Sequence, residues 1–197
     1  LETGDARTLT QTADGWAVTS AEGPLSAREV VLALGPWSND LFERLGYKLP
    51  FGVKRGYHMH FAPRGNARLD HPIYDATGGF VLAPMQRGLR LTTGVEFADR
   101  DAALTPVQLE KPRRIAETLF PLGEPLDAEP WMGRRPCLAD MLPVIGAAPR
   151  HKGLWFDFGH QHLGLTLGPV SGRLLAELMT GQAPCIDPAP YRVERFS

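Results

Sequence analysis

Residues 157–169 read DFGHQHLGLTLGP: two histidines, His160 and His162, spaced two apart inside a glycine-rich turn. An apolar stretch, GLWFDF, leads into this turn. A segment from about Leu165 to Thr180 leaves it, with Leu174, Leu175, Leu178 and Met179 on one side and Gly181 at its end, which predicts an amphipathic helix. The turn admits two readings, a metal site or a backbone cradle. An HxH pair also occurs at His58/His60, and on a strand each pair would share one face. A metal needs further ligands, and there is no HExxH and no close cysteine pair. No metal ligand is therefore assigned, and His60, His71 and His151 receive no role. The cradle reading uses Gly159 and Gly164, where backbone can approach a planar ligand, and the unpaired N–H groups of the helix that follows.

The wider composition narrows the ligand. The chain has 197 residues, 43% of them hydrophobic, with a net charge of -1, which leaves no basic surplus for nucleic acid or anionic lipid. A small or neutral ligand fits better. Cys137 and Cys185 are far apart, so no disulfide framework is indicated, and a reducing, cytoplasmic setting is expected. No apolar run reaches the roughly 20 residues of a membrane span, while peripheral attachment at an inner membrane stays open. The sequence begins LETGDARTLT, without Met, and is expected to be a fragment.

The pattern predicts an α/β chain. Strands are expected at 15–20 and 28–34, the second an apolar run suited to burial on both faces, with AEGPLSA as the turn between them. GPWSNDLFERLG then predicts a glycine turn and a short helix capped by Ser38 or Asn39, with Leu41, Phe42 and Leu45 inward and Gly46 as its stop. Short strands at 52–61, 79–84 and 89–97 predict a second, α+β part with a mixed, largely antiparallel sheet. In TPVQLEKPRRIAETLF, Thr105 is a candidate N-cap with Gln108 closing a capping box, and Pro112 should confine the useful helix to 113–120. Further strands are expected in AEPWMGRRP, LPVIGAAP and GLWFDFG.

Residues 131–146, WMGRRPCLADMLPVIG, place Arg134 and Arg135 side by side. On a strand they face opposite ways, so one at most enters a given pocket, where its planar fork suits a carboxylate. The alternative is that both pair with neighbours such as Asp140 or Glu129.

Three ordered segments, VVLALGPWSNDLFERLG, GRRPCLADMLPVIG and GLWFDFGHQHLGLTLGPVSGRLLAELMTG, together resemble the C-terminal half of the D-amino-acid oxidase/dehydrogenase (DAO) family of FAD-dependent oxidoreductases, nearest to bacterial D-amino-acid dehydrogenases. The resemblance implies a partial Rossmann-like FAD-binding domain at 1–50, a substrate domain at 51–137 and a return to the FAD domain at 138–197. It places Gly35 and Trp37 beside the cofactor. Gly159, His160, Gly164, Leu165 and Thr166 fall in the segment lining the flavin ring. It makes Arg135 the grip on the substrate carboxylate and lets Tyr57 or His58, in KRGYHMHF, line the pocket. The implied reaction removes the α-hydrogen of a D-amino or related imino acid as hydride to flavin N5, after which the imine hydrolyses, with oxygen or a quinone carrier as acceptor. No general base is named.

One part of the family pattern is missing: no GxGxxG occurs in the chain. The sequence alone is thus expected to hold no tight FAD and to be prone to self-association. A non-catalytic binding or assembly module is the alternative reading, and a metal-dependent hydrolase a third.

Overall fold

The structure is a computed structural model and describes residues 1–196. It divides into two compact units, one made of residues 1–52 with the segment from Arg135 onward, the other of Val53–Arg134.

The first unit opens with an antiparallel meander, β1 (Gly4–Thr12), β2 (Gly15–Ser20) and β3 (Gly23–Ala27). The sequence reading made residues 21–27 a turn. They form an edge strand instead, where Pro24 withholds no ladder hydrogen bond from a further neighbour. Trp16 on β2 is buried, and its indole N–H donates to the Lys152 carbonyl at 3.1 Å. β4 spans only Val30–Leu32, shorter than the expected 28–34, and Val31 is 38% exposed while Leu32 is buried. The strand has one sheet neighbour, so only its inward residue meets a core. A 3₁₀ turn, Gly35–Trp37, runs into α1 (Ser38–Phe42). Trp37 occupies the N-cap position without a side-chain cap, and Ser38 is fully buried rather than capping. Phe42 stacks on Phe158 with ring centroids 5.4 Å apart.

The second unit is built on β5 (Phe51–Pro63), β6 (Ile73–Asp75), β7 (Phe80–Met85), β8 (Gly88–Phe97), α2 (Val107–Leu119), β9 (Leu122–Pro125) and β10 (Trp131–Leu138). The sheet order is β10-β5-β8-β7-β6, with β9 also on β5. Period-two alternation sends Tyr57, Met59, Phe61, Phe80, Leu82, Leu89 and Leu91 to one face, where Leu109 and Ala116 of α2 cover them.

Two local readings change here. Helix α2 runs unbroken through Pro112. Proline removes the hydrogen bond to the carbonyl four residues back, which is Gln108, and the buried Thr93 hydroxyl donates to that oxygen at 3.0 Å. The freed acceptor is thereby satisfied. No capping box forms, because Pro106 is the N-cap. The Thr105 hydroxyl donates to Glu96, and the Gln108 amide donates to the Val95 carbonyl at 2.7 Å.

Those contacts belong to a buried network around Arg55, which has no exposed surface. Its Nε donates to Glu96 at 2.6 Å, Nη1 to the Ala102 carbonyl at 2.5 Å, and Nη2 to the Ala103 carbonyl at 2.7 Å and the Tyr57 hydroxyl at 3.0 Å. Burial alone would raise the Glu96 carboxyl, but hydrogen bonds from Thr105, Arg55 and Tyr57 outweigh it and hold Glu96 below the ordinary glutamate range.

The chain then returns to the first unit with β11 (Val144–Ala147), β12 (Leu154–Phe158) and α3 (Gly164–Met179). β12 pairs antiparallel with β11 and parallel with β4. Leu174 and Leu175 of α3 pack on Ile145, as the sequence pattern predicts. No helix among the described residues is long and apolar enough to cross a membrane.

Arg55→Met is expected to leave Glu96 buried without its cation and to cost about 3–5 kcal/mol. Urea unfolding followed by circular dichroism checks this; a loss under about 1 kcal/mol, the range of an exposed ion pair, would contradict the buried network.

Candidate functional site

The parallel register between β4 and β12 sets Leu32 opposite Phe156. Each strand then runs three residues on to a glycine, Gly35 and Gly159, with φ of +54° and +88°. These two turns therefore leave the carboxyl ends of adjacent parallel strands at the same level, which is where ligands bind in open α/β sheets. A Cβ at Gly35 would meet nothing within 4 Å, whereas one at Gly159 would strike Leu138 Cδ1 at 2.6 Å. Gly35 thus fronts open space, and Gly159 is required for both its conformation and its packing.

Beyond Gly159 the turn is held tightly. Gln161 adopts a left-handed φ of +55°, uncommon for a residue with a side chain, and its N–H donates to the Pro136 carbonyl at 3.0 Å. Leu163 N–H donates to the His160 carbonyl at 2.9 Å, and α3 starts at Gly164 with no side-chain cap. The N–H groups of Gly164, Leu165 and Thr166 consequently have no intrahelical acceptor, and Leu165 is 97% exposed. Trp37 is half-exposed and helps line a cleft of about 300 Å³ with Ala6, Arg7, Leu34, Asp40 and Leu41. A larger cleft of about 520 Å³ lies elsewhere in this unit, around Asp14, Arg28 and Lys152, and contains none of the residues singled out from the sequence. Chemistry rather than size marks the turn region as the candidate.

Beneath the turn sits a pair that the sequence reading took only by half. Asp157 Oδ1 and His160 Nε2 lie 3.4 Å apart, both buried and neither hydrogen-bonded. Burial pushes the Asp157 carboxyl up, with His160 and Ser171 drawing it back incompletely. The same burial pushes the His160 imidazole down, against the pull of Asp157. His162, in contrast, is exposed. Among the described residues no group of three His, Cys, Asp or Glu is placed to hold a metal.

Arg134 Nε donates to the Arg100 carbonyl at 2.8 Å and lies 3.7 Å from Asp101. Asp140, the partner first considered, pairs with Arg195 at 2.6 Å. Arg135 is partly buried, and the Cys137 thiol donates to its carbonyl at 3.4 Å. In the second unit, Tyr57 is 1% exposed and its hydroxyl is fully used: it donates to Glu96 at 2.8 Å and accepts from Arg55 and from Thr105 N–H. That occupancy commits the Tyr57 hydroxyl to the Arg55–Glu96 network. His58, on the opposite face of β5, is partly buried and stacks on Trp131 at 4.6 Å.

With this geometry in hand, three comparisons bear on the chain. Residues 3–178 match the family model described as FAD dependent oxidoreductase, DAO. Glycine oxidase of Pseudomonas putida is 35% identical over 178 residues, 90% of this chain and 48% of that protein. D-amino acid dehydrogenase 2 of Mesorhizobium japonicum is 36% identical over 87% of this chain and 42% of its own length. The crystal structure of glycine oxidase from Geobacillus kaustophilus superposes with a TM-score of 0.81 at 23% identity, covering 96% of this chain and 51% of that one. The chain spans about half the length of the curated relatives it matches.

The Asp157–His160 pair makes a signed prediction. The folded chain binds a proton at His160 less readily than the unfolded chain, whose histidines titrate near 6.5. Stability contributed by neutral His160 is therefore complete above that pH and lost as pH falls below it. Asp157→Asn removes the group that favours the imidazolium, so His160 should titrate at still lower pH, as followed by NMR of its ring; an upward move would overturn the assignment.

Proposed function

The chain belongs to the DAO family of FAD-dependent oxidoreductases, and on that premise we propose that it supplies the ring-side cradle and the carboxylate-gripping arginine of an enzyme that oxidises D-amino or related imino acids. The observation that carries this reading is the pair of positive-φ glycine turns at the carboxyl ends of β4 and β12, followed by an uncapped helix start. In domain terms, residues 1–50 and 138–197 belong with the cofactor and 51–137 with the substrate.

The residues present suit FAD. At Gly35 the open space that a Cβ would enter leaves room for a ligand edge. The N–H groups of Gly164, Leu165 and Thr166, with the positive end of α3, would donate to a ring carbonyl or a developing anion. Gly159 and His160 hold the turn that aims them, and Trp37 offers an exposed aromatic wall. When bound, FAD supplies the ring that accepts hydride. The chain's own part is to bind and orient. Arg135 would pair its fork with the substrate carboxylate and so direct the Cα–H, a positioning effect that asks for no general base when the amine is already neutral. Tyr57, with its hydroxyl held in the Arg55–Glu96 network, and His58 are the further candidates on the substrate side.

The adenosine and pyrophosphate of a dinucleotide normally sit at a Gly-rich βαβ unit, and none is encoded in this chain. Gel filtration after incubation with excess FAD should therefore strip flavin from this chain, whereas a polypeptide joining it to the GxGxxG segment of a glycine oxidase should stay yellow. In that longer protein Arg135→Lys should lower kcat/KM by about 2–4 kcal/mol of transition-state stabilisation, while Arg134→Lys should affect it far less. Equal, mild effects at both positions would remove Arg135 from the role.

A further inference from the structure

We propose that the cleft between the β11–β12 hairpin, the last turn of α3 and the C-terminal tail binds a small zwitterion, one ammonium and one carboxylate on a short spacer, through Trp155, Arg192 and Glu194. The site lies wholly in the first unit. It does not depend on the flavin reading, since Trp155 stands four residues before Gly159, about 13 Å along β12 from the cradle turn.

Local structure brings the walls together. Trp155 pairs with Ala147 across the hairpin, and it packs with Leu178 on Ile145, Leu174 and Leu175. The tail returns to this place as two 3₁₀ turns, Ala189–Tyr191 and Val193–Phe196. Buried Val193 anchors it in the core. Arg195 pins it further, donating to Asp140 at 2.6 Å and to the Leu142 carbonyl at 2.8 Å. Arg192 and Glu194 flank Val193, and both are exposed. Together with Gly146, Ala147, Trp155 and Leu178 they line a cleft of about 250 Å³. A Cβ at Gly146 would meet nothing within 4 Å, so the cleft has an open floor. The volume falls below the ~300–1,000 Å³ of sites for drug-sized molecules, which limits the occupant to a small one.

The cleft offers groups that the protein leaves unused. Trp155 Nε1 is buried and finds no acceptor among the described residues, a costly state for a donor out of water. Arg192 and Glu194 carry opposite charges on one cleft, yet among the described residues neither side chain has an ion pair or a hydrogen bond.

These three groups select the ligand by charge. A simple anion drawn to Arg192 is repelled by Glu194, and a simple cation meets the reverse. A zwitterion satisfies both. An indole presents its π face to an ammonium and its N–H edge to an oxygen, so Trp155 serves either end. The carboxylate then takes the Arg192 fork and the Trp155 N–H, and the ammonium lies over the ring beside Glu194.

The test titrates the chain itself with trimethylglycine, whose ammonium keeps its charge at every pH. Sodium acetate and tetramethylammonium chloride, the two halves of that molecule, are titrated separately at constant ionic strength. NMR of the four indole N–H groups reads the binding, with the Trp155 signal assigned as the one lost in Trp155→Phe. Trimethylglycine should shift the Trp155 N–H saturably, and each half should bind at least about tenfold more weakly. Arg192→Gln and Glu194→Gln should each weaken trimethylglycine by about tenfold or more, while Arg68→Gln, at an exposed arginine already paired with Asp70, should leave it unchanged. Ala147→Leu keeps all three binding groups and fills the cleft opposite Trp155, so binding should vanish. No saturable shift, either half binding as tightly as the whole, or unaltered affinity in Ala147→Leu or in either charge variant would overturn the site.

Discussion

The candidate site rests on one pairing, the parallel register of β4 with β12. Parallel neighbours cannot be joined by a tight turn and need a crossover. Here the connection between them contains the whole second unit together with α1 and β11. What the pairing accomplishes is local. It puts Gly35 and Gly159 at one level and turns both chains outward at the same sheet edge. The rest of the first unit serves that edge: Phe42, Phe156 and Phe158 pack beneath it, and α3 leaves from it with its N–H groups unclaimed.

The second unit solves a different problem, which is to bury polar groups without leaving them unpaired. Arg55 has no exposed surface, yet the carbonyls of the 99–103 loop and the Glu96 carboxylate take its donors. Since an uncompensated buried charge is far costlier than a surface one, the network defines the path of that loop. Thr93 plays a comparable part on a smaller scale. Its hydroxyl supplies the Gln108 carbonyl with the partner that Pro112 withdraws, and α2 runs on unbroken with Leu109 and Ala116 in the core.

Under the cradle, burial works in opposite directions on two neighbours. It favours neutral Asp157 and neutral His160, while their mutual attraction favours the ion pair. Neither Asp157 Oδ1 nor His160 Nε2 finds a hydrogen bond, while Ser171 hydrogen-bonds the Asp157 carboxyl. The turn above this pair also carries Gln161 at positive φ, an uncommon conformation for a residue with a side chain.

Much of this was legible in the residue order. The strands at 52–61, 79–84 and 89–97 announce themselves by alternation, α3 by its leucine stripe and Gly181, and the family by three ordered segments, because each of these signals is local. Gly159 and Gly164 are offered as a backbone cradle by the local pattern, and Leu165 and Thr166 join them only through the family resemblance. The errors fell where a side chain had a choice of partners. Thr105 and Gln108 have the spacing of a capping box, but Glu96 and Val95 offered better-placed partners from the neighbouring strand. The Tyr57 hydroxyl is taken by Arg55 and Glu96, a commitment that the residue order does not show. Asp157 gave no sign of its pairing, and Trp155 none of its unclaimed donor. Composition and periodicity determine which residues can form an element and which face they offer. Which acceptor a buried donor meets, and which two distant glycines share a sheet edge, is decided only by the tertiary fold, because hydrogen bonds and strand pairs are contacts in space and carry no mark in the order of the chain.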